Sequence, residues 1–295
     1  MLGVTGANCM IGSELAAYPE YLAAQASGEL GLNVRVSGWR MAGARAFVAL
    51  FGVPEIGLRI RTQHILHWLP RDVGRLIDLG CGAGSLLGAV ARSRRFAELV
   101  GLEINERSAQ VAARAHPYAR IAVTRVQDAP AEFSGFDFAV SADVLEHLPE
   151  ADVAQFLQAA HAMLKDDGLL VISVPGLDQW RYFAAFRNWT HDDHQREGFS
   201  VDGLARAVRE SGFRVLRCYP TGGRVFAFCW ELNMLLAGNP LQALVFPVTL
   251  LATSLAERLP RRRGNTLVCV ARRADAARAS GRAANAQRSL DAAAR

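Results

Sequence analysis

Short apolar runs and amphipathic stretches alternate through the middle of the chain. The apolar runs predict strands at Leu76–Leu79, Leu99–Glu103, Ile121–Arg125, Phe136–Ser141 and Leu169–Val174. The stretches between most of them predict helices at Ser85–Arg94, Glu106–Ala115 and Asp152–Leu164. Parallel strands need a long crossover connection, usually a helix. The alternation therefore predicts a parallel sheet covered by helices.

The pattern is looser on both sides of this region. Trp39–Leu69 has a helical pattern that is broken around Gly52-Val53-Pro54, and the segment from Lys165 to Gly168 predicts a turn. Beyond the fifth strand we predict a helix at Val201–Ser211 and strands at Phe213–Tyr219 and Thr266–Ala271. The Ala- and Arg-rich tail has little to bury and is predicted to be disordered or a frayed helix.

A glycine-rich turn follows the first predicted strand. It runs from Asp78 through Gly80, Cys81, Gly82 and Gly84, and a helical pattern begins at once. Glycine permits positive φ and lets the backbone approach a ligand closely. The unpaired amides at a helix start favour a negatively charged ligand group. Many classes of nucleotide-binding protein share such a turn, so it does not identify one class alone.

Acids lie at the carboxyl ends of three consecutive predicted strands. Asp78 closes the first strand, Glu103 closes the second, and Asp128 lies just past the third. Ligands of doubly wound sheets bind at these ends. A carboxylate at the end of the second strand can accept both hydroxyls of a ribose. The three acids and the turn therefore predict one binding site.

The order of the glycines distinguishes between classes of nucleotide-binding protein. Gly-x-Gly-x-Gly with an acid two residues earlier resembles the first motif of class I S-adenosylmethionine (SAM)-dependent methyltransferases. The segment from Phe136 to Leu148, FDFAVSADVLEHL, is similar to the fourth-strand motif of their small-molecule branch, the type 11 or ubiquinone-biosynthesis-like enzymes. The segment from Leu164 to Pro175, and that from His194 to Ser200, resemble later motifs of the same family. The resemblance covers roughly residues 70–220.

The resemblance implies a Rossmann-like, doubly wound, seven-stranded α/β sheet that is mostly parallel, has an antiparallel last strand, and carries an N-terminal helical cap. It also implies S-adenosyl-L-methionine as the cofactor, held by Gly80, Gly82 and Gly84 at the methionine portion, Asp78 at the ammonium group, Glu103 at the ribose and Asp128 at the adenine amine. Cys81, Ile104, Ala129 and Asp143 complete the predicted cofactor site. The expected reaction moves a methyl group to an acceptor, with oxygen favoured over carbon or nitrogen. The acceptor is expected to be a small molecule, a lipid or a glycan precursor.

Three histidines are candidates for the chemistry. His147 follows the fourth strand, and His191 and His194 lie on a loop that can reach the same place. A general base is needed only where the acceptor must lose a proton. In ubiquinone-pathway O-methyltransferases a Glu-x-x-Glu-His metal site matches Asp143, Glu146 and His147. The first acid is shorter here, and no metal is included in the predicted site.

An apolar segment precedes the last predicted strand. We divide the chain into an N-terminal segment and cap (1–69), a SAM-binding domain (70–273) with an apolar insertion (224–263), and a tail (274–295). Leu241–Ala256 falls short of the usual spanning length, contains Pro247, and is followed closely by three arginines. Two interpretations stay open: a helical hairpin packed on the protein or on the second subunit of a homodimer, and a peripheral membrane element.

Composition excludes some classes of partner. The net charge of +5 is not arranged as a basic stripe with interleaved aromatic residues, so nucleic-acid binding is not expected.

The five cysteines are scattered without a Cys-x-x-Cys pair, which favours reduced thiols in the cytoplasm. No secretory signal pattern is apparent at the N-terminus. We expect a cytoplasmic protein, with the inner face of the membrane as the alternative.

Two rival functions follow from the sequence. Thr5, Gly6 and Gly12 resemble the TGxxGxxG turn of NAD-dependent epimerases and dehydrogenases, but Cys9 replaces the middle glycine and no ribose-binding acid follows at the usual distance. The second rival is a SAM-binding subunit that no longer catalyses a reaction.

Overall fold

A seven-stranded sheet with helices on both faces forms the centre of the molecule, as seen in a computed structural model. The structure describes residues 55–129, 131–186, 194–236 and 241–274. The strands are β1 (Arg75–Leu79), β2 (Glu98–Glu103), β3 (Arg120–Val123), β4 (Phe136–Ala142), β5 (Leu164–Pro175), β6 (Phe213–Thr221) and β7 (Thr266–Arg273). The helices are α1 (Ile56–Trp68), α2 (Ser85–Ser93), α3 (Glu106–Ala115), α4 (Glu150–Met163), α5 (Val201–Glu210), α6 (Arg224–Leu235) and α7 (Gln242–Ala256).

The strand order is β3-β2-β1-β4-β5-β7-β6. The pairs from β3 to β5 are parallel, and β7 is antiparallel to both β5 and β6. The predicted Rossmann-like sheet with an antiparallel last strand is therefore confirmed. The division of the chain into segments stays a prediction, and residues 1–54 and 275–295, which include the TGxxCxxG stretch and nearly all of the tail, lie outside the described residues.

The two faces of the sheet are covered by different helices. Buried side chains of α4 and α5 pack on one face, among them Phe156, Leu157 and Leu204. Buried side chains of α1, α2 and α3, such as Ile65 and Leu87, pack on the other face. Successive residues of a strand point to opposite faces, so the continuous apolar runs predict a sheet that is covered on both sides. The structure has this arrangement.

Several predicted elements differ from the structure in their bounds, and two of the differences have a clear physical reason. β3 begins at Arg120 and ends at Val123 rather than at Arg125, because the chain turns into a short 3₁₀ helix at Val126–Asp128. The turn predicted from Lys165 to Gly168 belongs to an irregular part of β5, where the parallel register with β4 shifts between Phe136 and Phe138. The Lys165 ammonium donates to the Asp137 carboxylate at 2.7 Å, which holds this irregular segment against β4.

The apolar insertion consists of the helices α6 and α7, connected by residues of which 237–240 lie outside the description. Phe226 and Phe246 are buried in a separate cluster with Ile56 and Ile60 of α1. The helix α7 continues past Pro247. Within the described ranges, no helix is long and apolar enough to cross a membrane.

The packing of α4 on the sheet generates a stability prediction. Phe156 is 1% exposed, so Phe156→Ala removes buried contacts and leaves a cavity. We expect a loss of about 3–5 kcal/mol in the free energy of unfolding, measured by urea denaturation. Gln155→Ala, at an exposed position of the same helix, should stay within about 0.5 kcal/mol of wild type. Equal stability of the two variants would contradict the packing of α4.

Candidate functional site

The glycine-rich turn connects β1 to α2 and is tied to β2. The backbone amides of Gly80 and Cys81 both donate to the carbonyl of Leu102, at 2.8 and 2.9 Å. Gly80, Gly82 and Gly84 have φ of 84°, 52° and 86°. These values are strained for residues with a Cβ. The turn therefore needs glycine at all three positions.

The three glycines differ in what surrounds them. A Cβ at Gly80 would lie 2.5 Å from Cγ2 of Val144, and one at Gly84 would collide with the His116 ring. A Cβ at Gly82 would meet no atom within 4 Å. Gly80 and Gly84 thus serve close packing, whereas Gly82 faces open space. This opening is where the backbone can approach a ligand.

Glu103 joins the turn to the end of β2. Its Oε2 accepts from the Gly82 amide at 2.8 Å, and its Oε1 accepts from the Asn105 amide at 2.8 Å. An ionised carboxylate offers about four lone-pair sites. Two amides leave acceptor capacity on both oxygens. Glu103 therefore fits the role of a bidentate acceptor for two ribose hydroxyls.

The other predicted cofactor residues at β2 and β3 lie at the same edge. Ile104, directly after Glu103, is 65% exposed. Asp128 ends the 3₁₀ helix after β3 with an exposed side chain, 3.8 Å from the Arg125 guanidinium. Ala129 follows and is half-buried. An exposed apolar residue and an exposed carboxylate at neighbouring strand ends suit the flat apolar faces and the exocyclic amine of an adenine.

The end of β1 is buried and acidic. Asp78 is 2% exposed, and burial, with a further contribution from the charge of Glu103, raises its pKa to about 8. Burial, together with the charges of Asp78 and Glu103, also raises the pKa of the Cys81 thiol. A cation that binds beside Asp78 would favour the charged carboxylate. The ammonium group of SAM is such a cation.

Asp143 lies at the end of β4 with a positive φ of 54°. Its amide donates to the Ser173 carbonyl of β5 at 2.9 Å, and its carboxylate forms an ion pair with the Arg61 guanidinium of α1. The next residue, Val144, is the one that contacts Gly80. The ion pair therefore holds the Arg61 guanidinium at the end of β4, against the residue that precedes Val144. The sequence gives no signal for Arg61, because 82 residues separate it from Asp143.

A cluster of three ionisable side chains combines two residues after β4 with one residue after β5. The rings of His147 and His194 are 4.7 Å apart and almost perpendicular, at 89°. Ligand atoms of Glu146, His147 and His194 all lie within 4.8 Å of one another. Asp143 is not a member of this cluster, so the structure does not assemble the set Asp143, Glu146 and His147. His191 lies outside the described residues.

The fold and the site together define a class I SAM-dependent methyltransferase. A family model described as a methyltransferase domain matches residues 58–217, more than half of the chain. The chain therefore belongs to the methyltransferase-domain family, and its cofactor is S-adenosyl-L-methionine. The residues present fit this cofactor, because an open glycine backbone, a carboxylate with remaining acceptor capacity and a buried acid lie at one sheet edge.

The chain is also similar to curated proteins that are named ubiquinone biosynthesis O-methyltransferases. The chain is 32% identical over 188 residues to a ubiquinone biosynthesis O-methyltransferase of Neisseria meningitidis serogroup C, covering 56% of this chain and 77% of the relative. It is 33% identical over 115 residues to the protein of the same name from Bradyrhizobium diazoefficiens, covering 37% of this chain. The chain spans only 43% of the length of this second relative.

A solved structure supports the fold alone. Phosphoethanolamine N-methyltransferase 2 of Haemonchus contortus, solved in complex with S-adenosyl-L-methionine, superposes with a TM-score of 0.55 at 15% identity. The match covers 81% of this chain and 61% of that chain.

The raised pKa of Asp78 predicts that a proton is released when SAM binds. At pH 7 the free protein holds this carboxyl mostly protonated, because its pKa is about 8. An ammonium group beside it favours the anion, so binding of SAM should release close to one proton. Affinity should then rise with pH below about 8, by up to about tenfold per pH unit.

Titration calorimetry at pH 7 in two buffers of different ionisation enthalpy measures this proton release. Asp78→Asn, which cannot ionise, is the matched control and should bind SAM with a heat that does not depend on the buffer. A heat independent of the buffer in wild type would contradict the predicted release of a proton from Asp78 on binding.

Proposed function

We propose that this protein transfers a methyl group to an oxygen atom of a small-molecule, lipid or glycan-precursor acceptor. When bound, SAM supplies the methyl group. The names of the curated relatives support an oxygen acceptor, and the observation that carries the proposal is the paired histidines at the edge of the sheet. A hydroxyl must lose its proton to become a good nucleophile, and imidazole is the side chain suited to take it near neutral pH.

The backbone holds the two histidines together. His147 ends a 3₁₀ helix from Leu145 to His147, and its amide donates to the Val144 carbonyl at 3.1 Å. The amide of Gln195 donates to the Glu146 carbonyl at 2.9 Å, which fixes His194 beside this turn. Both rings are half-buried. The pair therefore presents imidazole groups on a rigid support next to the cofactor-binding turn.

Each member of the cluster has a distinct proposed role. A ring nitrogen of His147 takes the proton of the acceptor hydroxyl, and His194 orients that ring through the edge-to-face contact. Glu146 is fully buried, and its carboxylate, within 4.8 Å of both rings, stabilises the imidazolium that forms. This cluster thus catalyses removal of the proton from the acceptor hydroxyl. The rest of the site has to position the acceptor and exclude water.

The cofactor-binding roles form part of the same proposal. Glu103 accepts from the ribose hydroxyls, Asp128 accepts from the adenine amine, and Ile104 and Ala129 contact the adenine ring. Asp143 contributes through Arg61, which its carboxylate holds in place for the anionic methionine carboxylate of SAM. The support is the open backbone at Gly82 and the Arg61–Asp143 ion pair.

Aromatic side chains line a loop at the same sheet edge, after β5. Tyr182 and Phe183 lie 5.8 and 5.6 Å from the Phe228 ring of α6, and Tyr182 and Phe228 are 40% and 43% exposed. The buried Glu231 carboxylate accepts from the amides of Tyr182 and Phe183 at 2.9 and 2.8 Å. This fixed aromatic wall favours an acceptor with an aromatic or apolar body.

We also propose a cytoplasmic location. The four cysteines among the described residues, Cys81, Cys218, Cys229 and Cys269, are free thiols, which suits a reducing compartment.

The base assignment generates a kinetic prediction. His147→Ala should lower turnover by about 10²–10⁴-fold, because no imidazole then takes the proton from the hydroxyl that is methylated. SAM affinity should stay near wild type. His67→Ala is the control, since His67 is an exposed histidine on α1. The measurement is the transfer of labelled methyl groups from SAM to acceptor molecules in metabolite and lipid extracts. An unchanged rate in His147→Ala would contradict the proposal.

The same assay separates a base from a metal site. If His147 acts as a base without a metal, a chelator such as EDTA should leave turnover unchanged. Loss of turnover with EDTA and its recovery with Mg²⁺ would replace the base by a metal held by Glu146, His147 and His194. No methyl incorporation from any extract, with normal SAM binding, would favour the non-catalytic subunit instead. A methylated product whose label sits on carbon or nitrogen would contradict the oxygen acceptor.

A further inference from the structure

One face of α7 is apolar and exposed. Leu244, Val248, Leu251, Leu255 and Leu259 are 72%, 66%, 61%, 52% and 66% exposed. Their spacing of three or four residues places them in one line along the helix and the turn that follows it. We call these five residues the apolar stripe. An apolar line of this length on the surface of a protein marks an interaction site.

The fold directs the stripe outward. The opposite face of α7 packs on α6 and α1, with Phe246, Thr249 and Thr253 buried. The Asn233 amide of α6 donates to the Thr249 hydroxyl at 2.7 Å, which fixes the rotation of α7 about its own axis. The helix contains no charged residue from Gln242 to Ala256. The stripe is therefore a consequence of how α7 is packed, and no charge interrupts it.

The arginines that follow α7 divide into two groups. Arg261 pairs with Glu257 and donates to the Ala256 carbonyl at 2.8 Å, and the Arg263 guanidinium lies 3.6 Å from the centre of the Trp180 ring. These two are engaged with the protein itself. Arg258 and Arg262 are exposed and lie at the end of the stripe. The stripe thus ends beside two exposed cations.

The hairpin of α6 and α7 lies at the same sheet edge as the cofactor-binding turn. It connects the end of β6 to the start of β7. Since β7 is antiparallel to β5 and to β6, β6 runs parallel to β1 and ends at the edge where β1 ends. A surface that binds the stripe would therefore be brought towards the edge that carries the site.

We propose that the apolar stripe, with Arg258 and Arg262, docks the protein peripherally on a bilayer with anionic headgroups. The leucines enter the boundary between headgroups and acyl chains, and the two cations contact the headgroup phosphates. Charge complementarity selects this occupant, because an uncharged apolar partner surface would not use the arginines. With fifteen residues, α7 is about 22 Å long, which suits lying on a bilayer and is too short to cross one.

This proposal goes beyond the proposed function and does not depend on it, because vesicle binding is measured without an acceptor or a methyl donor. The full-length protein is sedimented at low salt with vesicles of phosphatidylcholine containing about one third phosphatidylglycerol. Wild type should sediment with these vesicles, bind pure phosphatidylcholine vesicles far less, and be released as salt screens the charges.

Two paired variants locate the contact. Leu244→Ser with Leu251→Ser should weaken vesicle binding at least tenfold, while Val123→Ser with Leu216→Ser, two exposed aliphatic positions outside α7, should leave it unchanged. Arg258→Ser with Arg262→Ser should weaken binding about 30-fold at low salt. Arg206→Ser with Arg214→Ser, which removes the same charge from exposed positions of α5 and β6, should not. Unchanged SAM affinity in the stripe and arginine variants shows that they are folded.

Three results would overturn the proposal. The first is a wild-type protein that ignores anionic vesicles at low salt. The second is an equal loss of binding in the control variants, which would mean that vesicle binding depends only on net charge or on exposed apolar surface in general. The third is a wild-type dimer that the Leu244→Ser, Leu251→Ser variant converts to a monomer without change in vesicle binding, which would make the stripe a contact between two copies.

Discussion

The arrangement of the site depends on the carboxylate of Glu103. One oxygen accepts from the amide of Gly82 and the other from the amide of Asn105, so a single side chain links the turn after β1 to the turn after β2. The turn is thereby held in the conformation that leaves Gly82 open. A ligand then meets a preformed backbone rather than ordering it, which lowers the entropic cost of binding.

The local signals in the sequence predicted the sheet and the cofactor edge. The mainly apolar run Leu76–Leu79 lies in the sheet, because strands covered on both faces are apolar at most positions. Its one acid, Asp78, is buried at the end of the strand that carries the site. The positive φ of Gly80, Gly82 and Gly84 agrees with the motif, since only glycine adopts it without strain. Such features depend on residues close together in the chain, so pattern and spacing reveal them.

Contacts between distant segments could not be predicted. The pairing of Arg61 with Asp143 joins α1 to the end of β4, and no periodicity marks either residue for the other. The three consecutive arginines Arg261, Arg262 and Arg263 look equivalent in sequence, yet Arg261 and Arg263 are engaged by Glu257 and Trp180. The side-chain environment, which separates an internal ion pair from an exposed cation, is set by tertiary packing.

Binding of the cofactor to wild type and to two variants tests the central claim most directly. By titration calorimetry, SAM and its demethylated product should each bind one site per chain, and NAD should produce no binding heat. Glu103→Ala should weaken SAM binding by about 1.5–3 kcal/mol, through loss of hydrogen bonds to a charged group. Gly82→Val should all but abolish it, because the side chain fills the open space. SAM affinity equal to wild type in both variants would contradict the site.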